Sequence, residues 1–107
     1  MDKSEVIEKL KKYAELVVNF IAPEKIVLYG SYARGDQREY SDIDVAIIVS
    51  EINCDILEIE TQLFKLRRDI DFLIEPQLFD EKHDPSGFLE HILKYGEVIY
   101  DRSAANT

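Results

Sequence analysis

The chain has 107 residues, with 13 Lys and Arg against 22 Asp and Glu, so its formal charge is −9, and 46% of its residues are hydrophobic. This length and composition predict one compact globular domain and exclude a disordered chain. The acidic charge disfavours direct binding of long nucleic acid, although small anions whose charge a metal ion offsets are not excluded. Neither a secretion signal nor an apolar run approaching the ~18 residues of a membrane span is present, so we expect a cytoplasmic protein that does not enter a membrane. Cys54 is the single cysteine, which excludes an internal disulfide.

Four elements are predicted in the first half of the chain. Apolar residues at spacings of three and four predict a helix over residues 4–21, with Ser4 as its cap. The apolar, β-rich run at 25–29 predicts a buried strand, and the Gly-Ser-Tyr-Ala-Arg-Gly segment at 30–35 predicts a tight loop that opens a short helix. The continuous apolar run at 43–49 is typical of a central strand covered on both faces.

The middle of the chain predicts a long helix followed by a third strand. Apolar residues from 56 to 70 recur at helical spacing, and Arg67 and Arg68 fall in the last turn, where they complement the helix dipole. From 70 to 74 the pattern changes to period two. Asp69 and Asp71 would then share one face of this strand, opposite its apolar side chains.

The last part of the chain predicts a helix and a final strand. Asp84 followed by a proline predicts a helix over 85–95, with Phe88, Leu89, Ile92 and Leu93 facing the core and Gly96 as its stop. A short strand follows at 98–100, and residues 101–107 form a polar tail that we expect to fray. The element order predicts an α/β (α+β) domain over 1–107, with a core at about 4–100 and a small mixed sheet of about four strands flanked by helices.

The most informative segment is Gly30-Ser31, followed after ten residues by Asp42-Ile43-Asp44. Two carboxylates separated by one strand residue point to the same side, about 6 to 7 Å apart, and offer the hard oxygen ligands that Mg²⁺ prefers. A Gly-Ser at a strand-to-helix turn offers backbone N–H groups and a hydroxyl to an anion. Asp71 on the neighbouring strand would add a third carboxylate, and two metal ions held by three carboxylates suit in-line attack on a phosphate.

Each of these residues also has a plain structural interpretation. Asp42 alone would be an ordinary turn residue, whereas an unpaired Asp44 inside a strand is costly and favours a cation partner. Arg34 would reach a phosphate or form an exposed salt bridge. Tyr32 and Tyr40 would stack on a base or pack in the core, and packing is the better supported alternative. His83 and His91 have no ligand partners at suitable spacing and are expected at the surface.

With Ala33-Arg34-Gly35 inside it and Ser41 before the aspartate pair, the Gly30 to Asp44 motif resembles the signature of the DNA polymerase β-like nucleotidyltransferase superfamily. The length of the chain narrows the resemblance to the minimal nucleotidyltransferases (MNT). These include the MntA-type antitoxins that pair with HEPN (higher eukaryotes and prokaryotes nucleotide-binding) toxins. The resemblance spans residues 26 to 100, and the match of Asp71 to the third carboxylate strand rests on residue type and location.

The resemblance implies a site and a reaction. Asp42 and Asp44 would bind two Mg²⁺ ions, and Asp71 would bind the one that activates the acceptor. Gly30 and Ser31 would hold the β and γ phosphates of ATP, with Arg34 and Ser41 also at the nucleotide. AMP would pass to a hydroxyl, in the antitoxin branch a tyrosine of the helical HEPN toxin, and pyrophosphate would leave.

Two alternatives to this enzymatic antitoxin stay open on the sequence. The protein would be a binding module that neutralises a toxin by contact alone, or a transferase that modifies a small molecule such as an antibiotic. The intact set of three carboxylates favours an active enzyme. Because nothing in the chain is left over to cover a nucleotide base, we also expect assembly through an apolar helix face, as a homodimer or with a helical partner.

Overall fold

The computed structural model describes residues 1–52 and 55–105, so Cys54 lies outside the described residues. Its elements, in chain order, are α1 (Lys3–Phe20), β1 (Lys25–Tyr29), α2 (Ser31–Arg34), β2 (Ile43–Val49), α3 (Ile56–Leu66), β3 (Ile74–Asp80), α4 (Phe88–Tyr95), β4 (Glu97–Asp101) and α5 (Arg102–Ala105). The predicted order of helices and strands is confirmed, and the bounds predicted for β1 and β2 are those observed.

The four strands form one mixed sheet in the order β3-β2-β1-β4. β1 runs antiparallel to both of its neighbours, β2 and β4. β2 and β3 are parallel, as the helical crossover α3 between them requires. The sheet therefore confirms the predicted α+β class, with β2 and β1 at its centre.

Each face of the sheet carries a hydrophobic cluster. Ile43, Val45 and Ile47 of β2 belong to the larger cluster, which also contains the buried side of α1. The alternate residues Ala46 and Ile48 belong to the smaller cluster beneath α4. Because side chains alternate along a strand, the continuous apolar run of β2 is explained by cover on both faces, as predicted.

The start of α1 differs from the prediction. The cap is Asp2 rather than Ser4, since the Oδ1 atom of Asp2 accepts a hydrogen bond from the Glu5 backbone N–H at 2.9 Å. Aspartate and serine are nearly equivalent as helix N-caps, so residue type alone does not show whether Asp2 or Ser4 is the cap.

The third strand was predicted too early in the chain. α3 ends at Leu66, residues 67–73 form turns, and β3 begins only at Ile74. The Oδ1 atom of Asp71 accepts from the Leu73 backbone N–H at 2.8 Å, a local turn that competes with an extended strand. β3 contains Pro76, a residue that argues against a strand in the sequence but is tolerated here because β3 is an edge strand.

α4 begins at Phe88, three residues later than predicted, after Gly87 in the left-handed conformation (φ 76°). Asp84 still caps the helix, because its carboxylate accepts hydrogen bonds from the free backbone N–H groups of the first turn, those of Leu89 and Glu90, both at 3.0 Å. Leu89 and Ile92 are buried as predicted, whereas Phe88 and Leu93 are 42% and 40% exposed, which corrects their assignment to the core.

Residues 101–105 have more regular structure than expected. β4 extends to Asp101, and the segment predicted as a frayed tail contains α5. The Asp101 carboxylate accepts from both the backbone N–H and the hydroxyl of Ser103, which closes this turn. In the described ranges no helix has the length and apolar character needed to cross a membrane.

Candidate active site

The turn between β1 and α2 lies against the first residues of β2. Tyr29 pairs with Asp44 in the antiparallel register, so Gly30 lies beside that aspartate. A Cβ atom on Gly30 would collide with the Asp44 carboxylate, and Gly30 has φ +77°, a backbone conformation that other residues rarely adopt. Glycine at this position therefore allows a carboxylate to lie directly against the turn.

An open cavity of about 770 Å³ lies over this turn. The six predicted site residues that line it are Gly30, Ser31, Arg34, Ser41, Asp42 and Asp44. The remaining lining residues are Tyr29, Ala33, Phe88, His91, Ile92, Tyr95 and Gly96. The structure thus brings the glycine-serine turn and the aspartate pair together in one concavity, although they are separated by ten residues in the sequence.

Asp44 lies in an electrostatically unfavourable position. Partial burial, followed by the negative charges of Asp42 and Glu75, raises the pKa of Asp44, and the opposing effect of Arg34 is smaller. The neighbouring Tyr29 hydroxyl responds in the same way, since burial and the charges of Asp44 and Glu75 raise its pKa to about 12. This end of the cavity is therefore short of positive charge, which a bound cation would supply.

Asp71, the predicted third carboxylate, lies elsewhere. Its Oδ2 atom accepts from the Lys9 ammonium group of α1 at 2.7 Å, and its side chain is only 15% exposed. Partial burial raises the pKa of Asp71, but the hydrogen bonds from Lys9 and the Leu73 backbone outweigh it and lower the pKa below the usual value. Asp71 does not line the cavity. Its role as a metal ligand stays a prediction.

Glu75 is a carboxylate that the sequence analysis missed. It lies opposite Asp44 in the parallel register of β2 and β3, so both side chains leave the same face of the sheet. Its Oε1 atom is 3.7 Å from a guanidinium nitrogen of Arg67. Extending the period-two pattern past residue 74 would have placed Glu75 on the same strand face as Asp71, but Pro76 argued against a strand there.

The other candidates divide between the cavity and the core. Arg34 lines the cavity and also forms an exposed ion pair with Asp36 at 3.3 Å, so both of its predicted roles fit its position. The Ser41 hydroxyl accepts from the Arg38 backbone N–H at 2.8 Å. Tyr32 is 1% exposed and packs in the core, whereas Tyr40 is 79% exposed and has φ 67°. Neither tyrosine lines the cavity.

The second group of residues that the sequence missed comes from α4. Phe88, His91 and Tyr95 line the cavity, and all three side chains are exposed. The surface position predicted for His91 is confirmed, but the surface in question is the wall of the cavity. The spacing of three, four and seven places these residues on one helix face. That spacing was the available signal, but the sequence analysis assigned Phe88 to the core and His91 to the surface and did not group them with Tyr95.

The donor set suits Mg²⁺. Asp42 and Asp44 supply two carboxylates on one side of β2, and the charge deficit at Asp44 favours a cation there. Across residues 1–52 and 55–105, no three His, Cys, Asp or Glu side chains converge into a complete cation site. Mg²⁺ is commonly held by one or two carboxylates together with substrate phosphates, so a pair of aspartates beside an anion-binding turn fits this ion.

Comparison with known proteins was made on sequence and on fold. The family model described as "Polymerase beta, Nucleotidyltransferase" matches residues 8–105. A Methanocaldococcus jannaschii protein named "Putative protein adenylyltransferase" is 32% identical over 102 residues, which cover 89% of this chain and 99% of that protein.

Solved structures share the fold. The crystal structure of a "putative nucleotidyltransferase from Sulfolobus solfataricus" superposes with a TM-score of 0.68 at 22% identity, covering 94% of this chain and 85% of that one. The tri-AMPylated Shewanella oneidensis HEPN toxin in complex with MNT antitoxin gives a TM-score of 0.57 at 17% identity, covering 92% of this chain and 76% of the matched chain. These likenesses confirm the predicted nucleotidyltransferase fold.

Proposed function

Because the chain belongs to the polymerase β nucleotidyltransferase family, we propose that it transfers AMP from ATP to a hydroxyl group of a partner protein. Family membership confirms the predicted enzyme class, a nucleotidyltransferase. The observation that carries the finer proposal is the cavity in which the Gly30-Ser31 turn meets Asp42 and Asp44. Phosphate recognition and cation binding are both available there.

Two groups of cavity residues have different roles in binding ATP: one contacts the phosphates and the other binds the metal ion. Gly30 and Ser31 bind the β and γ phosphates through backbone N–H groups and the hydroxyl, and Arg34 adds positive charge on the same side. Asp42 and Asp44 hold Mg²⁺. When bound, Mg²⁺ supplies charge stabilisation on the attacking and leaving oxygens.

The reaction that this arrangement supports is an in-line displacement. The acceptor hydroxyl releases its proton to water and its oxygen forms a bond to the α phosphorus of ATP, while the bond from that phosphorus to the β-phosphate oxygen breaks and pyrophosphate leaves. The turn holds the leaving pyrophosphate in place, and the open side of the cavity admits the acceptor. Positioning and electrostatic stabilisation are the main contributions that a protein makes to such a reaction.

Asp71 and Glu75 are the two candidates for a third carboxylate that binds Mg²⁺ together with Asp42 and Asp44. Asp71 matches the family pattern in the sequence, but its side chain is bonded to Lys9. Glu75 is the register partner of Asp44 and contributes to the raised pKa of that aspartate, but it also lies 3.7 Å from a guanidinium nitrogen of Arg67. The register supports Glu75 as the third carboxylate, and the AMP transfer rates of Asp71→Asn and Glu75→Gln variants distinguish the two.

A helical HEPN-type toxin is the partner that we propose as the acceptor, with a tyrosine hydroxyl as the modified group. The support comes from two similar proteins: one is named as a protein adenylyltransferase, and the other is an MNT antitoxin in complex with an AMPylated HEPN toxin. AMP transfer would then silence the toxin, and the protein would act as its antitoxin.

The test uses ATP labelled on its α phosphate, Mg²⁺ and a purified HEPN-type toxin as the acceptor. We expect label on the partner and release of pyrophosphate with the wild-type protein. The Asp42→Asn and Asp44→Asn variants should transfer no label, because each removes a cation ligand. The control is Asp36→Asn, which removes the exposed partner of Arg34 outside the aspartate pair and should leave transfer intact.

Toxin activity is measured in the same reactions. Neutralisation that requires transfer supports the enzymatic antitoxin. Full neutralisation by the Asp44→Asn variant without transfer contradicts it and leaves the contact inhibitor. Transfer to a small hydroxyl compound, with none to the partner, would instead indicate the small-molecule transferase.

A further inference from the structure

The cavity has two chemically different ends. One end is polar and consists of the Gly30-Ser31 turn and the aspartate pair. The other is the exposed face of α4, where Phe88, His91 and Tyr95 line the wall. We define these three residues as the aromatic wall. Since seven residues of α-helix rise about 10 Å, the wall extends well beyond what a phosphate group alone would occupy.

Packing fixes the position of the wall. Leu89 and Ile92 anchor α4 on the sheet, with 3% and 1% of their surface exposed. Gly96 ends the helix directly over β1, since a Cβ atom there would lie 2.6 Å from a Val27 methyl carbon and 2.8 Å from the Leu28 carbonyl oxygen. A larger residue would push the end of α4 outward. The close approach therefore holds Tyr95 in the wall of the cavity.

The rings of the wall are ordered by contacts with one another and with the sheet. Phe88 lies edge-on to Tyr29, with ring centroids 5.8 Å apart and an interplanar angle of 85°. The rings of His91 and Tyr95 are 4.8 Å apart at 48°. Tyr95 nevertheless keeps 62% of its surface exposed, which is a large apolar area to leave in water.

We propose that the aromatic wall is the nucleobase subsite of the cavity, with the ring of Tyr95 as the stacking surface. This inference rests on the proposed function, because the triphosphate at the polar end determines where the base lies. A volume of about 770 Å³ is within the roughly 300–1,000 Å³ of small-ligand pockets, so triphosphate, ribose and base share one cavity. The sequence analysis identified no segment left over to cover the base, and on this proposal α4 is the segment that covers it.

The test compares binding of two ligands in the presence of Mg²⁺: ATP, and inorganic tripolyphosphate, which has the phosphates without a base. Stacking is worth roughly 1–3 kcal/mol per base, and the lower part of this range corresponds to about tenfold in affinity. We expect Tyr95→Leu to weaken ATP binding about tenfold and to leave tripolyphosphate binding unchanged. Tyr95→Phe, which keeps the ring, should bind ATP like the wild type.

The matched control is Phe72→Leu, since Phe72 is 72% exposed and lies outside the cavity. This variant should bind both ligands normally. Because Tyr95 is exposed, we expect its variants to fold, and their melting temperatures check this. His91→Ala is a second variant with the same expected pattern.

Three results would overturn the inference. Unchanged ATP affinity in Tyr95→Leu and His91→Ala would show that the wall does not bind the base. Equal weakening of both ligands would indicate a structural role for Tyr95. In either case a wild type that binds both ligands leaves the proposed function standing. A wild type that binds neither ligand would contradict the proposed function itself, and the base subsite with it.

Discussion

Asp44 and Asp71 are each the second aspartate of an Asp-x-Asp pattern beside an apolar strand. In the structure, however, their electrostatic surroundings are opposite. Asp44 faces the cavity with Asp42 and Glu75 nearby, and its pKa is raised by burial and by these charges. Asp71 is held by Lys9 from α1, and its hydrogen bonds lower its pKa. Within residues 1–52 and 55–105, Asp44 forms no ion pair and only the more weakly acting Arg34 offsets its charge, whereas Asp71 is paired with the Lys9 ammonium group.

The difference indicates what each residue is for. A carboxylate that already has a lysine partner contributes to stability, and binding a metal ion there would require breaking the ion pair. A carboxylate placed beside like charges destabilises the free protein and is relieved by an incoming cation. This comparison supports the proposal that Asp44 is a cation ligand, whereas Asp71 connects α1 to the turn before β3.

The largest expected effect is on catalysis. Asp44→Asn should reduce AMP transfer by at least about two orders of magnitude, because it removes charge stabilisation that is made mainly in the transition state. Asp71→Asn should reduce transfer by less than about tenfold, the remainder of its effect being on the fold. Single-turnover transfer rates at saturating Mg-ATP check both. An equal loss in the two variants would restore Asp71 as the third ligand.

The close approach of Gly30 to Asp44 provides the next comparison. Gly30→Ala should lose nucleotide binding and about 2 kcal/mol of unfolding free energy, because the residue has a positive φ and its new Cβ meets the carboxylate. Gly35→Ala is the matched control, with φ +84° and no atom within 4 Å of the new Cβ. It should cost about 1 kcal/mol and leave nucleotide binding intact. Similar nucleotide affinities in the two variants would contradict the importance of the close approach of Gly30 to Asp44 for nucleotide binding.

The Lys9–Asp71 ion pair should contribute measurably to the free energy of unfolding. Asp71→Asn is expected to lower the unfolding free energy at pH 7 by about 1–2 kcal/mol, since a hydrogen bond to a charged group is lost from a side chain that is 15% exposed. Because the pKa of Asp71 is lowered on folding, its contribution is complete above the unfolded value of about 3.9 and disappears as the pH falls through the folded value. Denaturant titrations at several pH values check the sign.

The control for that prediction is Glu8→Gln. Glu8 pairs with Lys11 at 3.3 Å on the surface of α1, and both side chains are more than half exposed. Such pairs contribute roughly 0.2–1 kcal/mol, so the loss should be smaller than that of Asp71→Asn. Equal losses would show that the Asp71 ion pair has no special structural role.

The smallest expected effect has the opposite sign. Asp44→Asn should raise the melting temperature of the metal-free protein by a few degrees at neutral pH, because it removes a charge that burial and like charges disfavour. The folded state binds a proton at Asp44 more tightly than the unfolded state, so the penalty develops as the pH rises above the unfolded pKa of about 3.9. The gain should vanish in acid. A lower melting temperature at pH 7 would contradict the interpretation.

The difference between correct and incorrect predictions follows from the range of the interactions involved. β1 and β2 were predicted with their observed bounds because their apolar runs are set by burial along a single strand. β3 was misplaced because a turn at Asp71 and a proline at 76 are local signals, whereas pairing with β2 and an edge position are not visible locally. Phe88 was assigned to the core because helical spacing defines a face without saying what that face meets.

The sequence by itself determined the order of elements, the two central strands, and the glycine-serine turn with its aspartate pair, because each depends on residues close together in the chain. Only the tertiary structure decided which further residues join them. Glu75 reaches the face of Asp44 through strand register, Lys9 reaches Asp71 across 62 residues, and α4 brings Tyr95 to the cavity through the close approach at Gly96. These are contacts between distant segments, and their partners are selected by packing and charge in the folded chain rather than by any local pattern.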